Sequence, residues 1–100
     1  MAVAQDAVKV APHVYKVLFE NARIRLLEVR LKVGDKSSMH GHPAYLVYSL
    51  GASKVKFTSG SGETAELDLQ AGQAMWREPE EHAANNLGKT DVHALLFELK

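Results

Sequence analysis

The feature that most constrains this chain is the cadence of its turns. Glycine or polar clusters break the sequence at Glu20-Asn21-Ala22, Gly34-Asp35, Gly51-Ala52-Ser53, Ser59-Gly60-Ser61-Gly62, Gln70-Ala71-Gly72 and Gly88-Lys89-Thr90-Asp91. Signals spaced roughly ten residues apart leave room for short strands, and no segment carries a helical period. Residues 14–19, 54–58, 63–69, 74–76, 82–87 and 92–99 read as strands, with Val55, Phe57, Ala65, Leu67 and Leu69 facing inward. Residues 23–33 alternate, but the phase slips between Leu26 and Leu27, which predicts a β-bulge or a strand crossing between sheets. Residues 40–50 read as one strand interrupted by Pro43, with His40, His42, Leu46, Tyr48 and Leu50 on one face. Glu78-Pro79-Glu80-Glu81 reads as a charged loop. Eight or nine antiparallel strands of this length predict an all-β fold, a small barrel or jelly roll that hides most of its edges. Residues 1–12, ending at Pro12, read as a flexible tail or edge strand before a single domain over 13–100.

Composition removes several function classes. The 100 residues suffice for one domain with a modest core. Twelve basic and twelve acidic residues are well mixed, so no basic stripe offers itself to nucleic acid, and no apolar run is long enough to cross a bilayer. There is no cysteine, so a metal site must be built from nitrogen and oxygen ligands. Ala2-Val3-Ala4-Gln5 has the small-x-small form of a signal-peptidase site and favours a periplasmic protein over a cytoplasmic one with an Ala-rich terminus. Gly88-Lys89-Thr90 is not a phosphate loop, because position 83 is Ala where that motif needs Gly.

The chemistry concentrates in histidines. His40 and His42 are two apart, so on a strand both imidazoles leave the same face. His82 lies forty residues later, after Pro79 and before Asn86. Three convergent imidazoles suit a divalent transition metal, whereas His13 and His93 read as ordinary turn or surface residues. Tyr48, placed on the histidine face, and Arg77, next to the second histidine segment, are the candidate catalytic side chains, weighed against a core tyrosine and a solvated salt bridge. Trp76, Met39 and Met75 read as barrel packing, Asn86 as turn support, and Glu80 and Glu81 as solvent-facing carboxylates.

Gly34, His40 and His42 match the first sequence motif of the cupins, and Gly72, Pro79, His82 and Asn86 match the second, with Pro79 one residue late. The chain therefore resembles a cupin from Tyr15 to Lys100. Phe19-Glu20-Asn21, His42-Pro43-Ala44-Tyr45 and Met75-Trp76-Arg77 make it most similar to short single-domain cupins of the BauB-like group. The resemblance implies a double-stranded β-helix, a homodimer and a metal at the barrel mouth. The motif's glutamate is missing: it would fall at Leu46 or Val47. A three-histidine set of this kind is similar to Fe(II) dioxygenase sites and also suits Zn, Ni, Cu or Mn. Two other functions stay open beside it, a metal-free acid/base enzyme of the isomerase or dehydratase type and a non-catalytic module that binds or senses a small ligand.

Overall fold

A computed structural model describes residues 5–100. One helical turn, α1 (Ala7–Val10), precedes nine strands: β1 (Tyr15–Glu20), β2 (Ile24–Leu31), β3 (Lys36–His42), β4 (Tyr45–Ser49), β5 (Ser53–Ser59), β6 (Thr64–Leu69), β7 (Ala74–Arg77), β8 (Glu80–Asn86) and β9 (Val92–Leu99). Every strand pairing is antiparallel. A five-stranded sheet in the order β1-β2-β9-β4-β7 packs on a four-stranded sheet in the order β3-β8-β5-β6, which makes an all-β double-sheet roll. No helix of the described residues is long and apolar enough to cross a membrane.

Alternation puts the core between the sheets. Leu27, Val29 and Leu31 of β2 and Val92, Ala94 and Leu96 of β9 share the inward phase, facing Val55, Leu69 and Ala84 of the other sheet. Each fully buried Leu or Val stabilises the fold by roughly 1.5–3 kcal/mol. The glycines that open the two motif segments, Gly34 and Gly72, take φ of +79° and +80°, a turn conformation that side chains disfavour.

Several sequence expectations are corrected here. Residues 23–33 hold neither a bulge nor a crossing: Ile24–Leu31 pairs with β9 without a break, and the apolar pattern changes phase only because Ile24 and Leu26 lie on the outer face while Leu27, Val29 and Leu31 face in. The bulge is in β1, at Leu18, between the Val17–Leu27 and Phe19–Leu26 pairings. Residues 40–50 form two strands rather than one, because Pro43 has no N–H for a ladder and the chain changes sheets there. The phase changes with the sheet: Tyr45 and Ser49 are buried, while Leu46, Tyr48 and Leu50 are exposed. Tyr48 and Leu46 are thus not on the histidine face. The charged loop is shorter than expected, since Glu80 and Glu81 already belong to β8. Trp76 and Met39 are exposed instead of packing the barrel, Ala65 is exposed, and Met75 does pack against the core. Of the expected tail or edge strand over 1–12, residues 1–4 and the small-x-small segment within them lie outside the described residues. From there on, Asp6 makes a single parallel β-bridge to Gly41, whose N–H donates to the Gln5 carbonyl, and Ala7 and Ala11 at either end of the one-turn helix are fully buried.

Candidate metal centre

His40 and His42 reach the interior from β3, and His82 reaches it from β8, where it is the direct cross-strand partner of His40. A bulge sets this up. Ser37 pairs with Ala84 and His40 with His82, so β3 spends one more residue than β8 between the two pairings. The extra residue turns Met39 outward and brings Ser37, His40 and His42 all inward. Forty residues of sequence separation thereby become adjacent rungs of one ladder. The three rings pack edge to face, with centroids 4.8 Å apart for His40–His42 and His40–His82 and 5.1 Å for His42–His82. All three side chains are buried, and one nitrogen from each lies within 4.8 Å of the others.

The remaining ring nitrogens define which atoms face the centre. His40 Nδ1 lies 2.7 Å from the Ser38 carbonyl, an acceptor only, so Nδ1 carries the proton and Nε2 is the lone pair. The Tyr15 hydroxyl donates to that lone pair at 3.0 Å. His42 Nδ1 lies 2.6 Å from Glu98 Oε2. His82 Nδ1 is 3.4 Å from Glu80 Oε1, too long and misaligned for a formed hydrogen bond, so we read it as a charge contact. Nε2 of both His42 and His82 is buried with no hydrogen-bond partner. Buried polar atoms are paired in the great majority of proteins, so orphaned nitrogens on two of three clustered imidazoles suit a Lewis acid. The donor set of three imidazoles fits a divalent transition metal.

Burial also sets the protonation. Desolvation pushes His40 down to about 4, beyond what the Ser38 hydrogen bond restores, and burial lowers His82 as well. Burial works against ionisation of Glu80, but the nearby His82 ring and the hydrogen bonds from Arg77 and Tyr45 outweigh it and hold the carboxyl well below its ordinary range. Burial raises the Tyr15 and Tyr45 phenols.

Behind the imidazoles lies a polar row. Arg25, Glu98, Tyr45 and Arg77 are consecutive cross-strand partners on the inner face of the five-stranded sheet. Arg25 binds both Glu98 and Asp6, and Arg77 forks onto Glu80 at 2.9 and 2.7 Å with the Tyr45 hydroxyl donating to the same carboxylate at 2.6 Å. Phe57 stacks on His82 at 4.6 Å, and the Arg77 guanidinium sits 5.3 Å from its ring. Beside the histidines an interior cavity of about 50 Å³ is walled chiefly by apolar side chains, among them Val47, Phe57 and Leu96.

Of the residues singled out in the sequence, His40, His42 and His82 come together. Arg77 lies one contact behind His82, and Tyr48 points away on the outer face. Glu80 is a site carboxylate and Glu81 is exposed. Asn86 supports the turn, donating to the Leu31 and Thr90 carbonyls and accepting from Gly88 N–H. His13 is exposed, and His93 pairs with Glu28 at 2.8 Å on the surface. Tyr15, Tyr45, Arg25 and Glu98 escaped the sequence reading. A signal existed: Glu98 shares the phase of Val92, Ala94 and Leu96, and Arg25 that of Leu27, Val29 and Leu31. Opposite charges on two apolar phases mark a buried pair.

No protein-family model and no curated protein matches the chain. Solved structures do. A cupin domain from Bordetella pertussis Tohama I superposes with a TM-score of 0.79 at 22% identity, covering 100% of this chain and 99% of that one. A conserved protein with a double-stranded β-helix domain from Klebsiella pneumoniae gives 0.69 at 18%, over 86% and 75% of the two chains. An RmlC-like cupin family protein from Methanocaldococcus jannaschii gives 0.68 at 10%, over 86% and 78%. This chain has the double-stranded β-helix fold of the cupins.

Proposed function

We propose that the protein binds one divalent transition metal, of the Fe, Zn, Ni, Cu or Mn group, through Nε2 of His40, His42 and His82, and that it acts on a small organic substrate in a dioxygenase-type reaction. The observation that carries the metal assignment is the pair of buried, partnerless Nε2 atoms on His42 and His82. Such an ion supplies Lewis acidity or a site for dioxygen. The chain supplies the rest. Ser38 and Glu98 hold Nδ1 of His40 and His42, so the ring orientations are set before anything binds. Burial keeps the Tyr15 phenol protonated beside His40 Nε2, where with a metal in place it would serve as a hydrogen-bond donor that orients a substrate oxygen. The apolar cavity walls exclude water and admit only a small group. Arg77 acts through Glu80 rather than on substrate.

A metal-free acid/base enzyme is less well supported. Burial holds His40 at about 4, far from the near-neutral value at which a general base works best. Small-ligand binding without turnover is consistent with the cavity and is separated by oxygen uptake. The proposal also includes a homodimer. The small core and the cupin resemblance point to a dimer edge near residues 14–19, and the outer face of the five-stranded sheet, which begins at that edge strand, offers a larger surface. Phe19, Leu26, Phe97, Leu46 and Trp76 are consecutive cross-strand neighbours there, with Phe19 and Trp76 52% and 50% exposed. At half exposure, aromatics of roughly 150–250 Å² offer about 75–125 Å² each, so with its Leu neighbours the row supplies roughly half of the ~800 Å² per partner of an ordinary interface and forms the centre of such a patch.

The test is elemental analysis of untagged protein purified without chelator, beside His40→Ala. Near-stoichiometric metal that the variant loses is expected. A protein that neither carries metal nor takes up added Fe, Zn, Ni, Cu or Mn overturns the assignment.

A further inference from the structure

The motif glutamate is absent, and the inward-facing position it vacates is apolar Val47, yet the site is not short of carboxylate. Glu98, 1% exposed, stands directly behind His42, and Glu80 stands behind His82. Both carboxylates lie against Nδ1 of their histidines. We infer that these two outer carboxylates take over the electrostatic task of the missing ligand, with Glu98 a positioning residue for His42 and Glu80 a weaker one for His82. The inference rests on the metal reading above.

Geometry and charge both support it. A carboxylate accepting from Nδ1 fixes the tautomer that presents Nε2, and it makes that nitrogen a stronger donor to a cation. Glu98 cannot turn inward to ligate, because Arg25 binds its Oε1 at 2.8 Å through Nε and Asp6 anchors the far side of the same guanidinium. Glu80 is fixed in the same manner by Arg77 and Tyr45. Three carboxylates, Asp6, Glu80 and Glu98, meet two guanidiniums, Arg25 and Arg77, a formal balance of −1. A dication among neutral imidazoles is thus partly compensated from behind its ligands. The 2.6 Å contact of Glu98 against the 3.4 Å contact of Glu80 ranks the two. Surface pair Glu28–His93 has the same chemistry at 2.8 Å, away from the site, and serves as an internal control.

The experiment titrates the full untagged chain with Zn(II) against a competing chelator and records the visible spectrum of the Co(II) form. Glu98→Gln keeps one hydrogen-bond acceptor for Nδ1 but loses the charge and the oxygen that accepts from Arg25; about 10–100-fold weaker Zn(II) binding and a shifted Co(II) spectrum are expected. Glu80→Gln is expected to weaken binding up to about tenfold, and Glu28→Gln to change neither readout. Wild-type affinity and spectrum in Glu98→Gln overturn the inference while leaving the three-histidine site standing. Wild-type protein that binds neither ion overturns both. Should Glu98→Gln fail to fold, Glu80→Gln decides, and unchanged binding there overturns the inference.

Discussion

Two neighbouring rows of the five-stranded sheet invert the usual rule of apolar inside and polar outside. On the inner face run Arg25, Glu98, Tyr45 and Arg77; one residue away on the outer face run Leu26, Phe97, Leu46 and Trp76. One rung further along the inner face turns apolar: Leu27, Leu96, Val47 and Met75 face in, while Glu28, Leu95 and Tyr48 lie outside. The polar inner row is confined to the end of the sheet beside the histidines. Burying charge costs several kcal/mol per ion unless each is paired and hydrogen-bonded, and exposing a row of large apolar groups forgoes their burial. Both exceptions in one place mark a polar site on one side and a surface that expects a cover on the other.

The inner row breaks hardest. Glu98→Ala leaves the Arg25 guanidinium facing an empty, desolvated space, and we expect a loss of about 3–5 kcal/mol in chemical denaturation. A loss below about 1 kcal/mol would mean that the row is solvated and contributes little. Acid acts next. The metal-free protein holds His40 at about 4, below its unfolded value, so the unfolded chain binds more protons between the two. Stability is therefore complete above about pH 6.5 and falls by up to about 1.4 kcal/mol per unit toward pH 4. His82, lowered by the same burial, steepens the fall. A flat denaturation midpoint from pH 7 to 4.5 would contradict buried neutral imidazoles. The outer row shows the smallest change in stability and the clearest change in mass. Leu46→Lys puts a charge on an exposed site, so the folded monomer should shift by no more than about 0.5 kcal/mol. Light scattering should then fall from twice the chain mass of 11.0 kDa to that mass itself. Wild-type protein at 11.0 kDa would remove the dimer and leave the apolar row without an explanation.

Much of this was legible in the residues, for definite reasons. Turn spacing and strand phase gave an antiparallel roll because glycines and alternation act locally. His40, His42 and His82 were found because two sit on one strand face and the third in a matching motif segment. What escaped depended on events that shift phase. The bulge before His40 reversed Met39, the break at Pro43 reversed Leu46 and Tyr48, and apolar Ile24 and Leu26 on the outer face imitated a slip in an unbroken β2. Trp76 misled because size was read as burial. Asp6 was dismissed with its segment, although its carboxylate ends the chain of charges that begins at His42.

The polar contacts around the histidines almost all cross between the two layers of the roll. Tyr15 reaches His40, Glu98 reaches His42, and Tyr45 and Arg77 reach Glu80, each from the five-stranded sheet to the four-stranded one. The centre is therefore a rivet as well as a candidate reaction site. Sliding one layer over the other would tear every one of these contacts at once, so the layers are bound to loosen together rather than in turn. Occupancy of the centre would then register as slower amide exchange in strands as distant as β2 and β5, far beyond the atoms that touch the ion.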